Sequence, residues 1–331
     1  MSGNPLVSVI IPTYNRCALL CETIDNVFEQ TYRNFELIVV DDGSTDETLS
    51  GLRQYGDRIR VITQANAGAA VARNRGIAVA HGEIIAFQDS DDLWQPTKLE
   101  RQVALLGKMD TSVPCCLCNA VMRFVNRKET TSFAISLMRP RHEEGAWLNV
   151  PEVLATRFVL FNQTVAIRRE VLERVGGFDE DLKYLEDYDL PLRLALEGPW
   201  AFIREPLVIW RGGSPGSFYE QGLNDPIALK ECELKIFERM LARVEHGDQQ
   251  ASLQRLLKRQ LRSVRRQLKA TELSRTDSPG KRAIGMLLMR VDHYQGAAFR
   301  RSPWFPKPIT LPTSEAGRQL IDSKGCEAAA H

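Results

Sequence analysis

The chain has 331 residues, 44% of them hydrophobic, and a net charge of +1. That is enough apolar material for one large domain with an extension, or for two domains, and a near-neutral chain carries no global nucleic-acid signal. No apolar run reaches the roughly 18 residues of a membrane-spanning helix, and the Met-Ser-Gly-Asn-Pro start lacks a charged stretch before an apolar one, so neither a transmembrane segment nor a secretion signal is expected.

Residues 7–12 (Val-Ser-Val-Ile-Ile-Pro) predict a first strand stopped by proline, with Thr13, Tyr14 and Asn15 in the loop after it. Leu19, Leu20, Ile24, Val27 and Phe28 give residues 18–30 a helical spacing. Residues 35–40 predict a second buried strand, ending in Asp41, Asp42, Gly43 and Ser44. A helix over 46–55, a strand over 59–62 and an Ala-rich helix over 68–80 follow. Residues 82–88 then form a fourth strand that runs into Asp89, Ser90, Asp91 and Asp92. Apolar strands alternating with helices predict an α/β fold with a mostly parallel sheet flanked on both faces.

Such sheets bind ligands beyond the carboxyl ends of their strands, where this chain places Tyr14, Asp41, Asp42, Asp89, Asp91 and Asp92. Clustered carboxylates repel unless a cation or hydrogen-bond donors sit among them, and hard divalent cations take such oxygens. A solvated turn, with Asp91 or Asp92 capping a helix near Pro96, is the alternative. A dinucleotide fold needs Gly-x-Gly-x-x-Gly after the first strand, where Pro-Thr-Tyr-Asn-Arg stands; a P-loop also has no match.

The stretches 7–16 (Val-Ser-Val-Ile-Ile-Pro-Thr-Tyr-Asn-Arg), 39–48 (Val-Val-Asp-Asp-Gly-Ser-Thr-Asp-Glu-Thr) and 66–76 (Asn-Ala-Gly-Ala-Ala-Val-Ala-Arg-Asn-Arg-Gly), with the Asp-Ser-Asp-Asp run, resemble the family-2 inverting glycosyltransferases of the GT-A fold, of the non-processive bacterial type. The resemblance covers about residues 5–215. It implies that Pro12 and Tyr14 lie on the nucleotide, the Tyr14 ring packing on the base. Asp42 accepts a hydrogen bond from the base, with a helix N-cap as its plain alternative. Arg73 sits near the base and the acidic loops, or simply pairs with Asp42. Asp89 reaches the ribose. Asp91 holds Mn2+ or Mg2+ that bridges the two phosphates, and Asp92 either supports that site or caps a helix.

Further along, residues 115–125 read as a strand whose Cys115, Cys116 and Cys118 act as small hydrophobes rather than zinc ligands; free thiols suit a reducing cytoplasm. Residues 128–144 are polar and read as an acceptor-side loop. A strand over 161–168 and a helix over 169–175 lead to a Gly176-Gly177 turn. Glu186 and Asp187 then resemble the family's acidic acceptor-side motif, which makes Asp187 the general base, Glu186 a weaker acceptor-side candidate and Asp189 a helix cap. A short strand over 207–210 ends at Trp210 and Arg211, candidates for the acceptor and the pyrophosphate, before a Gly/Ser/Pro loop that suits a flap. Processive relatives carry Gln-x-x-Arg-Trp here and have membrane helices; this chain has neither, which points to transfer of a single sugar.

Residues 226–245 and 251–270 read as helices. The second is amphipathic, with Leu253, Leu256, Leu257, Leu261, Val264 and Leu268 on one face and basic residues on the rest. Residues 255–301 hold 13 Lys/Arg against 3 Asp/Glu, a local +10, which leaves −9 for the remainder. The candidates for 251–301 are docking on the domain, a second copy of the chain, or peripheral contact with an anionic membrane; nucleic acid lacks the aromatic interleaving it would need.

The expected organisation is thus a nucleotide-sugar half over 1–95 and an acceptor half over 96–220 of one GT-A domain, a basic helical extension over 221–301 and an irregular tail over 302–331. The expected activity is metal-dependent, inverting transfer of one sugar from a UDP-sugar to a glycan or lipid-linked acceptor, in the cytoplasm or at the inner membrane face. A sugar-nucleotide nucleotidyltransferase or a non-catalytic nucleotide-sugar-binding protein are the alternatives.

Overall fold

The computed structural model describes residues 3–124, 128–212, 224–244, 250–276, 278–301, 306–313 and Glu315. In chain order its strands are β1 (Val7–Thr13), β2 (Phe35–Asp41), β3 (Arg60–Thr63), β4 (Ile84–Phe87), β5 (Leu93–Trp94), β6 (Cys115–Phe124), β7 (Thr130–Thr131), β8 (Glu144–Trp147), β9 (Val165–Arg168), β10 (Trp200–Gly212) and β11 (Thr310–Pro312). The helices are α1 (Cys17–Phe28), α2 (Thr48–Leu52), α3 (Ala69–Val79), α4 (Lys98–Lys108), α5 (Ser132–Ile135), α6 (Val150–Leu154), α7 (Arg169–Val175) and α8 (Glu186–Leu194), followed by α9 (Pro226–Arg243), α10 (Ala251–Ser274) and α11 (Pro279–Arg301).

All strands join one sheet, ordered β11-β8-β10-β6-β9-β4-β1-β2-β3, with β5 on β10 and β7 on β6. β4, β1, β2 and β3 run parallel. β4, β1 and β2 sit inside the sheet because their residues are apolar on both faces, while β3 forms its edge with Val61 exposed. Val7, Val9, Ile11, Leu37, Val39, Ile84 and Ala86 pack with α1 and α4, while Ile10, Ile38, Val40, Ile85 and Phe87 pack with α3, α7 and α8. Period-two alternation thus feeds two cores, one per face. Gly76 permits the close seat of α3: a Cβ there would lie 2.4 Å from Ile10 Cγ2.

Direction then gathers the loops. β1 and β2 pair so that Thr13 is opposite Asp41, and Ile10 is opposite Phe87 of β4. β9 is antiparallel to β4, so its beginning, at Asn162–Thr164, reaches the same edge. β6 is antiparallel to β9 and β10 is parallel to β6, so the end of β10 arrives there too.

Several expectations are corrected. β1 runs through Pro12 to Thr13, because the proline ring tolerates a strand position that needs no ladder donor. β10 is far longer than 207–210; register shifts around Pro206 let the strand pass the proline that breaks its apolar pattern. The polar stretch 128–144 contains β7, α5 and the start of β8. Within the tail, Thr310–Pro312 adds a strand to β8 instead of being irregular, since an open sheet edge supplies backbone partners to any extended segment.

The apolar face of α10 docks on the domain: Leu253, Leu256, Leu257, Leu261 and Val264 are buried, and Gln260 donates to Ala155 O at 2.7 Å. α11 packs on α10 through Gly285, where a Cβ would lie 2.8 Å from Ala270 O. Among the described residues no helix is long and apolar enough to cross a membrane.

Candidate active site

The loops after β1 and β2 are laced together by Asn15. Its backbone is left-handed (φ 50°), a conformation Asn tolerates. Its Oδ1 accepts from Thr45 N–H at 2.7 Å and its N–H donates to Ser44 Oγ at 2.8 Å. Tyr14 is thereby pushed outward and is 45% exposed, so it is no core aromatic. Pro12 is buried in β1 opposite Val40. Asp41 is buried and receives Ser44 N–H.

Asp42 is also buried, and its carboxylate gathers the loop before α3. Gln64 Nε2 and the Ala67 N–H donate to Oδ1 at 2.8 and 2.9 Å, and the Gly68 N–H to Oδ2 at 2.8 Å. A carboxylate has about four lone-pair sites, so these donors leave little capacity unclaimed. Arg73 does not pair with Asp42. It reaches from α3 to Asp89 at 2.8 Å and to Glu186 at 3.0 Å. Burial alone would pull the Arg73 guanidinium down, but Asp89 and Glu186 outweigh it and hold the group above its usual value. Its Nε is buried and finds no partner among the described residues.

The neighbour of Arg73 in the same motif clamps the turn that leads to α8. Asn74 Nδ2 donates to Phe178 O at 2.9 Å and to Glu180 at 2.7 Å, and its Oδ1 accepts the Phe178 N–H at 2.8 Å. It lies against Gly177, whose positive φ and lack of Cβ the turn requires. From the other side, Arg193 donates to Val175 O and Gly177 O and pairs with Asp189 at 2.7 Å. Asp189 is therefore not a helix cap; it is a buried residue in the first turn of α8, held by Arg193. This bracing presents Glu186 and Asp187 in the first turn of α8, after Leu185 in a left-handed conformation. Burial, then the Glu186 charge, raise the Asp187 carboxyl to about 7; Arg73 opposes them and Asp89 adds to them.

The acidic run after β4 separates into distinct roles. Asp92 turns inward and is 2% exposed. It accepts Gln163 Nε2 at 2.5 Å and the Arg211 N–H at 2.8 Å, and it caps no helix: α4 starts after Thr97. Burial, with the Asp89 and Asp91 charges, pushes its carboxyl well above the carboxylate range. Asp91 stays at the crevice, ion-paired with Arg16, while Arg211 Nε donates to its carbonyl oxygen. Arg211 also reaches Glu22 at 2.7 Å, and its Nη2 is buried with no partner among the described residues. Trp210 packs edge-on against Phe124, ring centroids 5.2 Å apart.

No three side chains among the described residues form a metal cluster. The chemistry at Asp91 nonetheless fits a hard cation held by one carboxylate and completed by phosphate oxygens and water, as Mg2+ often is. The Gly/Ser/Pro loop over 213–217 lies outside the described residues.

Tyr14, Asp42, Arg73, Asp89, Asp91, Glu186, Asp187 and Arg211 thus all lie at one sheet edge, whereas Trp210 points to Phe124 and Pro12 into the sheet. Arg16, Asn74, Gln163 and Arg193 were not singled out from sequence. Arg16, Asn74 and Arg193 fall inside motif stretches, which is a usable signal; Gln163 carries none.

Glycosyl transferase family 2 matches residues 8–176. An uncharacterized glycosyltransferase of Rickettsia prowazekii is 34% identical over 187 residues, 56% of this chain and 58% of that protein; the chain thus spans little more than half of that relative's length. The Escherichia coli UDP-Glc:alpha-D-GlcNAc-diphosphoundecaprenol beta-1,3-glucosyltransferase WfgD is 44% identical over 109 residues, 32% of this chain and 43% of that enzyme. Among solved structures, S. aureus TarS 1-349 in complex with UDP-GlcNAc superposes with a TM-score of 0.64 at 18% identity, covering 91% of this chain and 81% of that one, a likeness of fold.

Proposed function

The chain belongs to glycosyl transferase family 2, and from that premise we propose that it moves one sugar from a nucleoside-diphosphate sugar to an acceptor hydroxyl with inversion. The observation that carries this reading is Arg73, which ties Asp89 on the donor side to Glu186 on the acceptor side. One guanidinium thus sets the distance between the leaving group's cradle and the base.

In this reading Tyr14 stacks on the base, Asp42 holds the loop that frames it and reads its N–H, and Asp89 meets the ribose. The exposed Tyr14 ring and the UDP-sugar donor named for WfgD support uridine. Asp91 would hold Mn2+ or Mg2+, which supplies Lewis-acid stabilisation of the departing diphosphate. Arg16, and Arg211 whose Nη2 finds no partner among the described residues, offer further positive charge there. Asp187 takes the acceptor proton as the new C–O bond forms and the bond to the diphosphate breaks; such a base contributes about 10²–10⁴-fold.

A lipid-linked acceptor fits the diphosphoundecaprenol acceptor in the name of WfgD. It would place the protein at a membrane surface, with cell-envelope glycan synthesis as the setting. α11 supports such contact: Ile284, Met286 and Leu287 are 53%, 59% and 60% exposed, with Lys281, Arg282 and Arg290 on the same helix. The apolar face of α10 is already committed to the domain, so α11 is the surface available for it.

Screening nucleotide sugars for Mn2+-stimulated hydrolysis, with Asp187→Asn alongside, tests the reading. UDP-sugar turnover in the wild type, lost in the variant, is expected; turnover of no nucleotide sugar would overturn it.

A further inference from the structure

Away from the sheet edge, α10 and α11, with Thr156, line an open cavity of about 470 Å3. Its charged lining is lopsided: Arg259, Arg262, Arg266 and Arg300 face one carboxylate, Asp292, with the His293 ring beside them. That carboxylate is 8% exposed and already engaged. Ser263 Oγ donates to it at 2.7 Å, Arg266 at 2.8 Å and Gln267 at 2.5 Å. Asp292 therefore anchors the hairpin and pairs with Arg266.

The remaining cations are held close rather than splayed. Arg300 folds back over Gly296, its Nη1 lying 3.6 Å from where a Cβ would be. Arg259 Nη2 donates to Gln295 O at 3.1 Å across the two helices. Burial, then the Arg266 and Arg262 charges, depress the Arg259 guanidinium, with Asp292 opposing them. The Arg266 Nε is buried and finds no hydrogen-bond partner among the described residues. Long cationic side chains on a free surface spread apart to reduce repulsion within a Debye length. Here instead they converge on one polar space, with a buried donor that has no partner among the described residues.

We propose that this cavity is a binding site for a phosphate-bearing anion. Guanidinium forks match phosphate oxygens two at a time, and one such group would offset the crowded charge and occupy the unused donor. The same chemistry arises from a soluble phosphate or from a phospholipid headgroup. The site lies outside the donor crevice and does not depend on the glycosyltransferase reading.

His293 supplies a local probe, since the chain has five histidines and its ring signal can be assigned by comparison with His293→Gln. The full-length protein is titrated with inorganic phosphate at constant ionic strength, chloride serving as control, while the His293 ring is followed by NMR. A saturable shift with phosphate, absent with chloride, is expected. Phosphatidylglycerol vesicles, compared with phosphatidylcholine vesicles, form the second arm. A shift with free phosphate assigns a soluble ligand; a shift with anionic vesicles alone assigns a headgroup.

Arg262→Glu should weaken binding by about ten- to a hundred-fold, as should the milder Arg262→Gln in combination with Arg259→Gln. Asp42→Asn, in the donor crevice, should leave it unchanged. Arg262 is exposed, so its variants should fold, and their thermal unfolding checks this. Identical shifts in chloride and phosphate, no shift in either arm, or full binding by folded Arg262→Glu would each overturn the site.

Discussion

Arg73 donates to Glu186 across 3.0 Å, joining residues 113 positions apart in the chain. Both are largely shielded, with side-chain exposures of 6% and 14%, so the pair is held in a geometry that solvent does little to relax. Removing the guanidinium leaves Asp89 and Glu186 facing each other uncompensated. Arg73→Gln should therefore lower stability by about 3 kcal/mol, as when one partner of a buried pair is lost, and reduce both nucleotide affinity and turnover. Urea denaturation and calorimetry check this; a variant of wild-type stability would show that the bridge adds nothing.

The raised Asp187 carboxyl predicts a pH profile. A base must be ionised to accept a proton, so kcat/KM should climb with pH through an apparent pKa near 7. For stability the sign is the reverse of an ordinary ion-paired carboxylate. The folded value lies above the unfolded one of about 3.9, so the folded state binds more protons, and stability falls as pH rises between about 4 and 7. Asp187→Asn should remove that fall, melting no lower than wild type at alkaline pH while losing kcat by orders of magnitude. A kcat/KM that does not change across this range would assign the base elsewhere.

Asp91 carries the metal prediction. Asp91→Asn should abolish turnover and weaken nucleoside-diphosphate binding, and excess EDTA should do the same to the wild type. Because Arg16 pairs with Asp91, an entering cation has to displace it. Arg16→Gln should accordingly tighten Mn2+ binding by the nucleotide-free protein, read by calorimetry. Full activity in EDTA would remove the metal from the mechanism.

In the proposed reading, base selectivity comes from Tyr14 and Asp42. Titrations with UDP, GDP, dTDP and CDP should favour UDP, and Tyr14→Ala should lose about 1–3 kcal/mol of stacking with every nucleotide. Asp42→Asn should narrow the preference among bases. Equal affinity for all four in the wild type would place base recognition elsewhere.

Membrane contact through α11 should depend on its exposed apolar residues. Co-sedimentation with phosphatidylglycerol vesicles should be lost in Leu287→Glu, and high salt should weaken it, since each basic residue near an anionic surface contributes about 1 kcal/mol. Absence of sedimentation at low salt would leave α11 as a surface for another partner.

Local pattern determined a good deal. Apolar runs marked β1, β2 and β4, and the acidic residues that end β2 and follow β4 were visible because strand composition and turn chemistry are short-range properties. The motif order pointed to the family for the same reason: each motif is one strand end with its loop. What composition could not assign was which carboxylate stays free. Asp91 and Asp92 are neighbours of identical chemistry, yet one lies at the crevice and the other is buried against Gln163 and the Arg211 N–H. That division depends on strand direction, which brings the start of β9 and the end of β10 to the end of β4. Likewise Asp189, readable as a cap, is drawn inside by Arg193, and Arg73 passes over Asp42 for Asp89 and Glu186. The amphipathic pattern of 251–270 showed a face to be buried without showing on what; packing gave that face to the domain and left the exposed apolar residues on α11. Periodicity encodes which side of an element turns inward, but the partner it meets is settled by contacts between segments far apart in the chain.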